Sequence, residues 1–213
     1  VHIDVIHDTA CPWCRIGKAN LRKALETWAG DEPVTIQFWA YQLNPTLPPE
    51  GSTFAEVMAT KYRGIPLESM FDGPRRAGAQ AGLVFNFDKL TRAPNTVLSH
   101  RLIVIAPPDR REHVIDAIYD AYFQHGQDIA RLDVLLDCAE QAGIDRAWAQ
   151  AQLEGEAGLA QVLEEARVVA EAGVSGVPFF IFDQKLSLSG AQPPEVFRRA
   201  LDKALELRQT SQD

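Results

Sequence analysis

The chain has 213 residues, 46 % hydrophobic and 23 % charged, and a formal net charge of −8 from 21 Lys+Arg against 29 Asp+Glu. A chain of this size buries roughly 70 % of its unfolded surface and needs no disulfide staples, so fibrous, collagen-like and disordered readings fall away. Dispersed basic residues in an acidic chain disfavour nucleic-acid partners, and no apolar run approaches the ~18 residues of a membrane helix.

Residues 2–7 read as a short strand carrying Ile3, Val5 and Ile6. Past Cys11-Pro12-Trp13-Cys14 a helix runs to about Ala29, with Leu21, Leu25 and Trp28 on one face and Gly30 as terminator. Residues 33–41 are β-branched and aromatic, a second strand, which completes a βαβ unit. Residues 44–51 form a Pro-rich linker. Thr53-x-x-Glu56 then reads as a capping box before Val57, Met58 and Tyr62. Helical spacing recurs at Leu98, Leu102 and Ile105, at Val114, Ile115, Ile118 and Tyr122, and at Leu132, Leu135, Leu136 and Ala139. It recurs once more from about Ala157 to Gly173, so residues 52–172 are expected to be almost wholly helical, without strands.

Strand character returns at residues 177–182. Asp183-Gln184 is the turn to a hairpin partner at 185–189, and Pro193-Pro194 open a last amphipathic helix. Alternation puts Phe180 and Phe182 on one face of the strand and Phe179 on the other. A lone hairpin is marginal, so the two ends are expected to share one sheet. The fold class is α/β: a thioredoxin-like β-α-β … β-β-α fold with a large all-helical insertion. Residues 1–44 and 173–213 form its discontinuous domain, and 45–172 the inserted helical domain.

The chemistry rests on Cys11 and Cys14. A thiolate, not a thiol, attacks disulfides. A helix N-terminus favours the thiolate through its unpaired N–H groups and macrodipole, and Pro12 suits the first helical position. Residues i and i+3 adjoin on a helix, so Cys14 can resolve a mixed disulfide on Cys11. Cys11 is thus the expected nucleophile and Cys14 the resolving thiol. A zinc site wants four ligands; the third cysteine, Cys138, is remote and the histidines are scattered, so no metal is expected. Pro178 inside an apolar strand run removes a ladder donor. An edge strand is one account of it; the favoured one is a cis Val177–Pro178 bond, which sets the Val177 backbone beside the disulfide and offers an extended substrate a partner. Trp13, between the cysteines, is expected to be exposed, packing either on substrate or on the insertion.

Strand, Cys-Pro-Trp-Cys, helix, strand, helical insertion and Val-Ser-Gly-Val-Pro-Phe-Phe together resemble the DsbA family of thiol–disulfide oxidoreductases, and more closely its FrnE-like branch. The resemblance is carried by residues 10–17, 42–49, 85–100, 121–129 and 173–197, including Phe85-Asn86-Phe87-Asp88 and Pro94-Asn95-Thr96. It implies Cys11 and Cys14 as the redox pair and Pro178 in cis. Kappa-class glutathione transferases and 2-hydroxychromene-2-carboxylate isomerases resemble the chain in architecture but normally lack the paired cysteines. Glutathione therefore stays open as a co-substrate near Cys11, Val177 and Ser189; no other cofactor is expected. The central dipeptide is Pro-Trp where periplasmic oxidants carry Pro-His, so Trp13 brings no charge; Arg15 and Lys18 are the cations near enough in sequence to compensate.

The leading expectation is a thiol–disulfide oxidoreductase acting on protein or low-molecular-weight thiols. A glutathione-dependent transferase or isomerase and a peptide-binding, chaperone-like module are the competing classes. Cytoplasm is the default compartment, with a removed leader as the alternative because the chain starts at Val1. Cys138 is expected in the core, His7 to be solvated at a strand end, and Asn95 and His100 to serve in caps or core.

Overall fold

A computed structural model describes residues 1–61 and 63–210. Strand β1 (His2–His7) runs into helix α1 (Pro12–Glu26), and β2 (Thr35–Ala40) follows. β3 (Ser52–Thr53) leads into α2 (Phe54–Lys61) and α3 (Leu67–Gln80); a 3₁₀ turn at Phe87–Lys89 precedes β4 (Arg92–Ala93). Next come α4 (Val97–Ile105), α5 (Arg111–Tyr119), a π-helical turn at Asp120–Gln124, α6 (Leu132–Gln141), α7 (Arg146–Glu154) and α8 (Leu159–Glu171). β5 (Phe179–Phe182), β6 (Leu186–Ser189) and α9 (Pro194–Gln209) come last.

Both ends of the chain build one sheet, in the order β2-β1-β5-β6. β1 pairs parallel with β2 through the α1 crossover and antiparallel with β5, and the β5–β6 hairpin closes the far edge. The turn residues Asp183 and Gln184 have φ of 49° and 57°. Positive φ at both central positions is the turn whose twist matches a hairpin, and Asp tolerates it. Pairing across the sheet sets Ile3, Val5, Phe38, Phe180 and Phe182 on one face. α9 covers that face, its fully buried Phe197 meeting Phe180 edge-to-face at 4.7 Å. On the opposite face Ile6, Trp39 and Ile181 border a depression shared with Val168 and Val169 of α8. Glu165 of α8 reaches the outer edge of β2 and accepts a hydrogen bond from the Ala40 N–H at 3.0 Å.

Residues 52–172 depart from an all-helical reading in one place. β3 and β4 form a two-residue antiparallel ladder, Ser52 opposite Ala93 and Thr53 opposite Arg92, too short to leave a pattern in sequence. Thr53 does cap α2, accepting from the Glu56 N–H at 3.4 Å, but the Glu56 carboxylate takes the Thr53 hydroxyl at 2.6 Å instead of returning to the backbone. Tyr62 lies outside the described residues. α1 stops at Glu26; Trp28 lies beyond it and donates its indole N–H to Asp202 of α9 at 2.8 Å. Among the described residues no helix is long and apolar enough to cross a membrane.

Candidate redox site

Cys11 occupies the N-cap of α1, with extended backbone (φ −99°, ψ 114°), and Pro12 is the first helical residue. The Cys11 carbonyl accepts from the N–H groups of Cys14 and Arg15 at 3.1 and 3.3 Å, which starts the first turn. No acidic residue stands in that turn to offset the positive helix end. The Cys11 thiol donates to the Val177 carbonyl at 3.7 Å, across the sheet's end, and the Val177–Pro178 peptide is cis. All three cysteines are free thiols. Cys14, one turn on and 1 % exposed, faces inward. Burial, then the adjoining Cys11 thiol, push its pKa well above the ordinary thiol range. Cys11, Pro12, Trp13, Cys14, Val177 and Pro178 thus converge from two distant stretches of chain. Gly17 makes that approach possible, since a Cβ there would sit 3.0 Å from both Pro178 Cγ and Phe180 Cζ.

Cys11 opens onto a cavity of about 320 Å³ lined by Trp13, Gly176 and Val177 on the sheet side. Its other walls are apolar. Met58 of α2, Met70 and Phe71 of α3, and Phe87, Leu90 and Phe123 face in. The rings of Phe54, Phe71 and Phe87 stack in sequence, with centroids 5.9 and 4.3 Å apart. The π-helical turn brings Tyr122 and Phe123 into the wall, and such turns are frequent at functional sites. Lys61 and Asn44 stand where the wall becomes polar. Trp13 is 39 % exposed and also lies against α3 at Gly73, so it both lines the cavity and packs on the helical block. Ser189 pairs with Phe179 in the hairpin and is not among the lining residues.

The cations after the motif do not serve Cys11. Arg15 is buried; it pairs with Asp120, donates to the Val84 carbonyl at 2.8 Å and lies over the Phe85 ring. Lys18 pairs with Asp116 at 2.7 Å. Both tie α1 to the helical block. His7 is also corrected. It is 2 % exposed, not solvated, and its Nδ1 lies 3.0 Å from the Tyr119 hydroxyl. Burial, followed by His100 and Lys18, lowers its pKa well below the usual imidazole value, so it is neutral and lends Cys11 no charge. His100 meets the Tyr41 carbonyl at 3.1 Å and Asp8 at 3.8 Å within the core. Asp8 accepts from the N–H groups of Ala10 and Leu43, at 3.1 and 2.6 Å, and fixes the loop before Cys11. Cys138 is buried, and burial raises its pKa to about 12.

The sequence reading missed the cavity itself. Its signal was the recurrence of Phe at 54, 71, 85, 87 and 123, visible only as scattered aromatics until α2, α3 and the π-turn bring most of them together.

A probable DsbA oxidoreductase from Streptomyces coelicolor is 30 % identical to the chain, superposes with a TM-score of 0.86, and is matched over 96 % of this chain and 90 % of its own. The cytosolic disulfide reductase DsbM from Pseudomonas aeruginosa, solved with GSH, shares the fold at 20 % identity and a TM-score of 0.64, over 97 % of this chain and all of its own. YwbO, an uncharacterized Bacillus subtilis protein, is 26 % identical over 204 residues, 94 % of this chain and 96 % of its own. The DSBA-like thioredoxin domain family matches residues 2–202, which take in every strand of the sheet and the whole helical block, and the chain therefore belongs to that family.

Proposed function

We propose that the protein exchanges two electrons with low-molecular-weight or protein thiols through the Cys11–Cys14 pair. The observation that carries this reading is the placement of Cys11 at a helix N-cap, opening onto a cavity, with Cys14 buried one turn behind it. In the oxidising direction for the pair, the Cys11 thiolate attacks one sulfur of a substrate disulfide. A Cys11–substrate disulfide forms and one thiolate leaves. Cys14 then gives up its proton and attacks Cys11, releasing the second substrate thiol; two electrons have passed from the pair to the substrate. The raised Cys14 pKa makes its ionisation the demanding part of the second step, so resolution quickens with rising pH. The Val177 backbone holds an extended substrate segment beside Cys11.

The likeness to the GSH-bound reductase DsbM supports glutathione as the reductant and a cytoplasmic setting, where thiols are kept reduced. The test is equilibration in glutathione redox buffers with thiol trapping. A potential near about −270 mV marks a reductant, and about −120 to −180 mV an oxidant or isomerase. Cys11→Ser should abolish turnover and Cys14→Ser should accumulate a mixed disulfide on Cys11. Absence of any reversible two-electron couple rules out this function.

A further inference from the structure

The cavity says more about the substrate than the motif does. Cys11 retains 4 % of its surface, so its sulfur is reached through the cavity, beneath Met58, Met70 and Phe71. The space of about 320 Å³ is at the lower end of small-molecule sites. Among the described residues no carboxylate lines it. Its one lining cation, among the described residues, is Lys61 at the end of α2. Lys61 has only long contacts, 3.4 Å to the Leu43 carbonyl and 3.3 Å to Asn44 Oδ1, and forms no ion pair with a described carboxylate. Arg15, Lys18 and Arg22, by contrast, each pair with an acid of α5 or the π-turn.

The wall of Met58, Met70, Phe71 and Phe87 offers no partner to polar substrate groups laid against it, and a buried unpaired polar group costs roughly 1–3 kcal/mol. The zwitterionic, amide-rich halves of glutathione disulfide suit such a wall poorly. A compact ring with one anionic group suits it, the ring against Met70 and Phe71 and the anion towards Lys61. Resting on the redox reading above, we propose that the oxidised substrate is a low-molecular-weight disulfide whose halves are aromatic thiols bearing a single carboxylate. The Cys11 thiolate attacks one sulfur, the Cys11–aryl disulfide forms, and the other aryl thiolate leaves. Cys14 then closes on Cys11 and expels the second aryl thiolate. The two released aryl thiols and the protein disulfide balance the two electrons, and a dithiol reductant regenerates the pair.

The experiment mixes the reduced protein with 5,5′-dithiobis(2-nitrobenzoate), 4,4′-dithiodipyridine, glutathione disulfide or insulin. Each rate is divided by that probe's rate with dithiothreitol, which removes intrinsic reactivity. On this scale the nitrobenzoate disulfide should exceed glutathione disulfide and insulin at least tenfold. Lys61→Gln, at an exposed position, should lower the nitrobenzoate-to-pyridine ratio about fivefold, the size of one partly screened ion pair. Glutathione disulfide or insulin matching the nitrobenzoate rate overturns the proposal, as does a ratio indifferent to Lys61→Gln. A Cys11→Ser protein that reacts as fast as the wild type instead brings down the redox reading, and the proposal with it.

Discussion

Gly17→Ala tests how closely α1 must approach the Pro178 loop. A Cβ at residue 17 would lie 3.0 Å from both Pro178 Cγ and Phe180 Cζ, and 3.5 Å from Ala191 Cα. In a solvent-facing helix the change would stabilise by about 0.5–1 kcal/mol, because glycine loses more backbone entropy. Here the methyl enters a filled space between a proline ring and a fully buried phenylalanine, and overpacking costs about 1–3 kcal/mol. The net is a loss of about 1 kcal/mol, a fall in Tm of about 2–4 °C for a chain of this size. Urea and thermal denaturation of both proteins measure it. Phe180→Leu removes one of the two contacts, so Gly17→Ala should cost less in that background, by about 0.5 kcal/mol or more in a double-mutant cycle. A Gly17→Ala protein as stable as the wild type, or more so, would refute the reasoning: the helix would then have room to spare.

Phe197→Ala empties a fully buried site against Phe180 and should cost about 3–5 kcal/mol, read as a lower urea midpoint at unchanged slope. His7 gives a pH signature. Its folded pKa is depressed, so below about pH 6.5 the unfolded chain takes up a proton that the folded protein refuses. Stability should fall with acidification by up to about 1.4 kcal/mol per pH unit; equal slopes in the wild type and His7→Gln between pH 7 and 5 would sink the idea. Cys138, buried and raised to about 12, should resist iodoacetamide at pH 8 until urea unfolds the protein. Labelling at the rate of an exposed thiol would contradict that burial.

What could be read from sequence was whatever has a local cause. The alternation in β5 and the turn chemistry of Asp183-Gln184 are examples, as are Pro12 at a helix start and Pro193-Pro194 opening the last helix. What could not be read depends on distant partners. His7 looks like a solvated strand end until Tyr119 and His100 close over it. Arg15 and Lys18 look like electrostatic helpers of Cys11 until Asp120 and Asp116 claim them. α3 falls inside the stretch expected to be helical, yet it accommodates Gly73-Pro74, a pair that breaks most helices. The π-turn at Asp120–Gln124 has no composition of its own. For the site, the motif shows two sulfurs at the start of α1, whereas the wall beside them is assembled from α2, α3 and that turn.

The strand order has a consequence for biosynthesis. β1 sits inside the sheet, yet its antiparallel neighbour β5 comes from the other end of the chain, Ile3 opposite Phe182. At translation rates of about 5–20 residues per second, roughly 10–35 s separate the emergence of the two strands. Throughout that interval Ile3, Val5 and Ile6 have β2 beside them but neither β5 nor the cover of α9. The sheet therefore closes only after β5 has emerged, and a chain stalled or cut before residue 179 presents an open strand edge to its neighbours on the polysome.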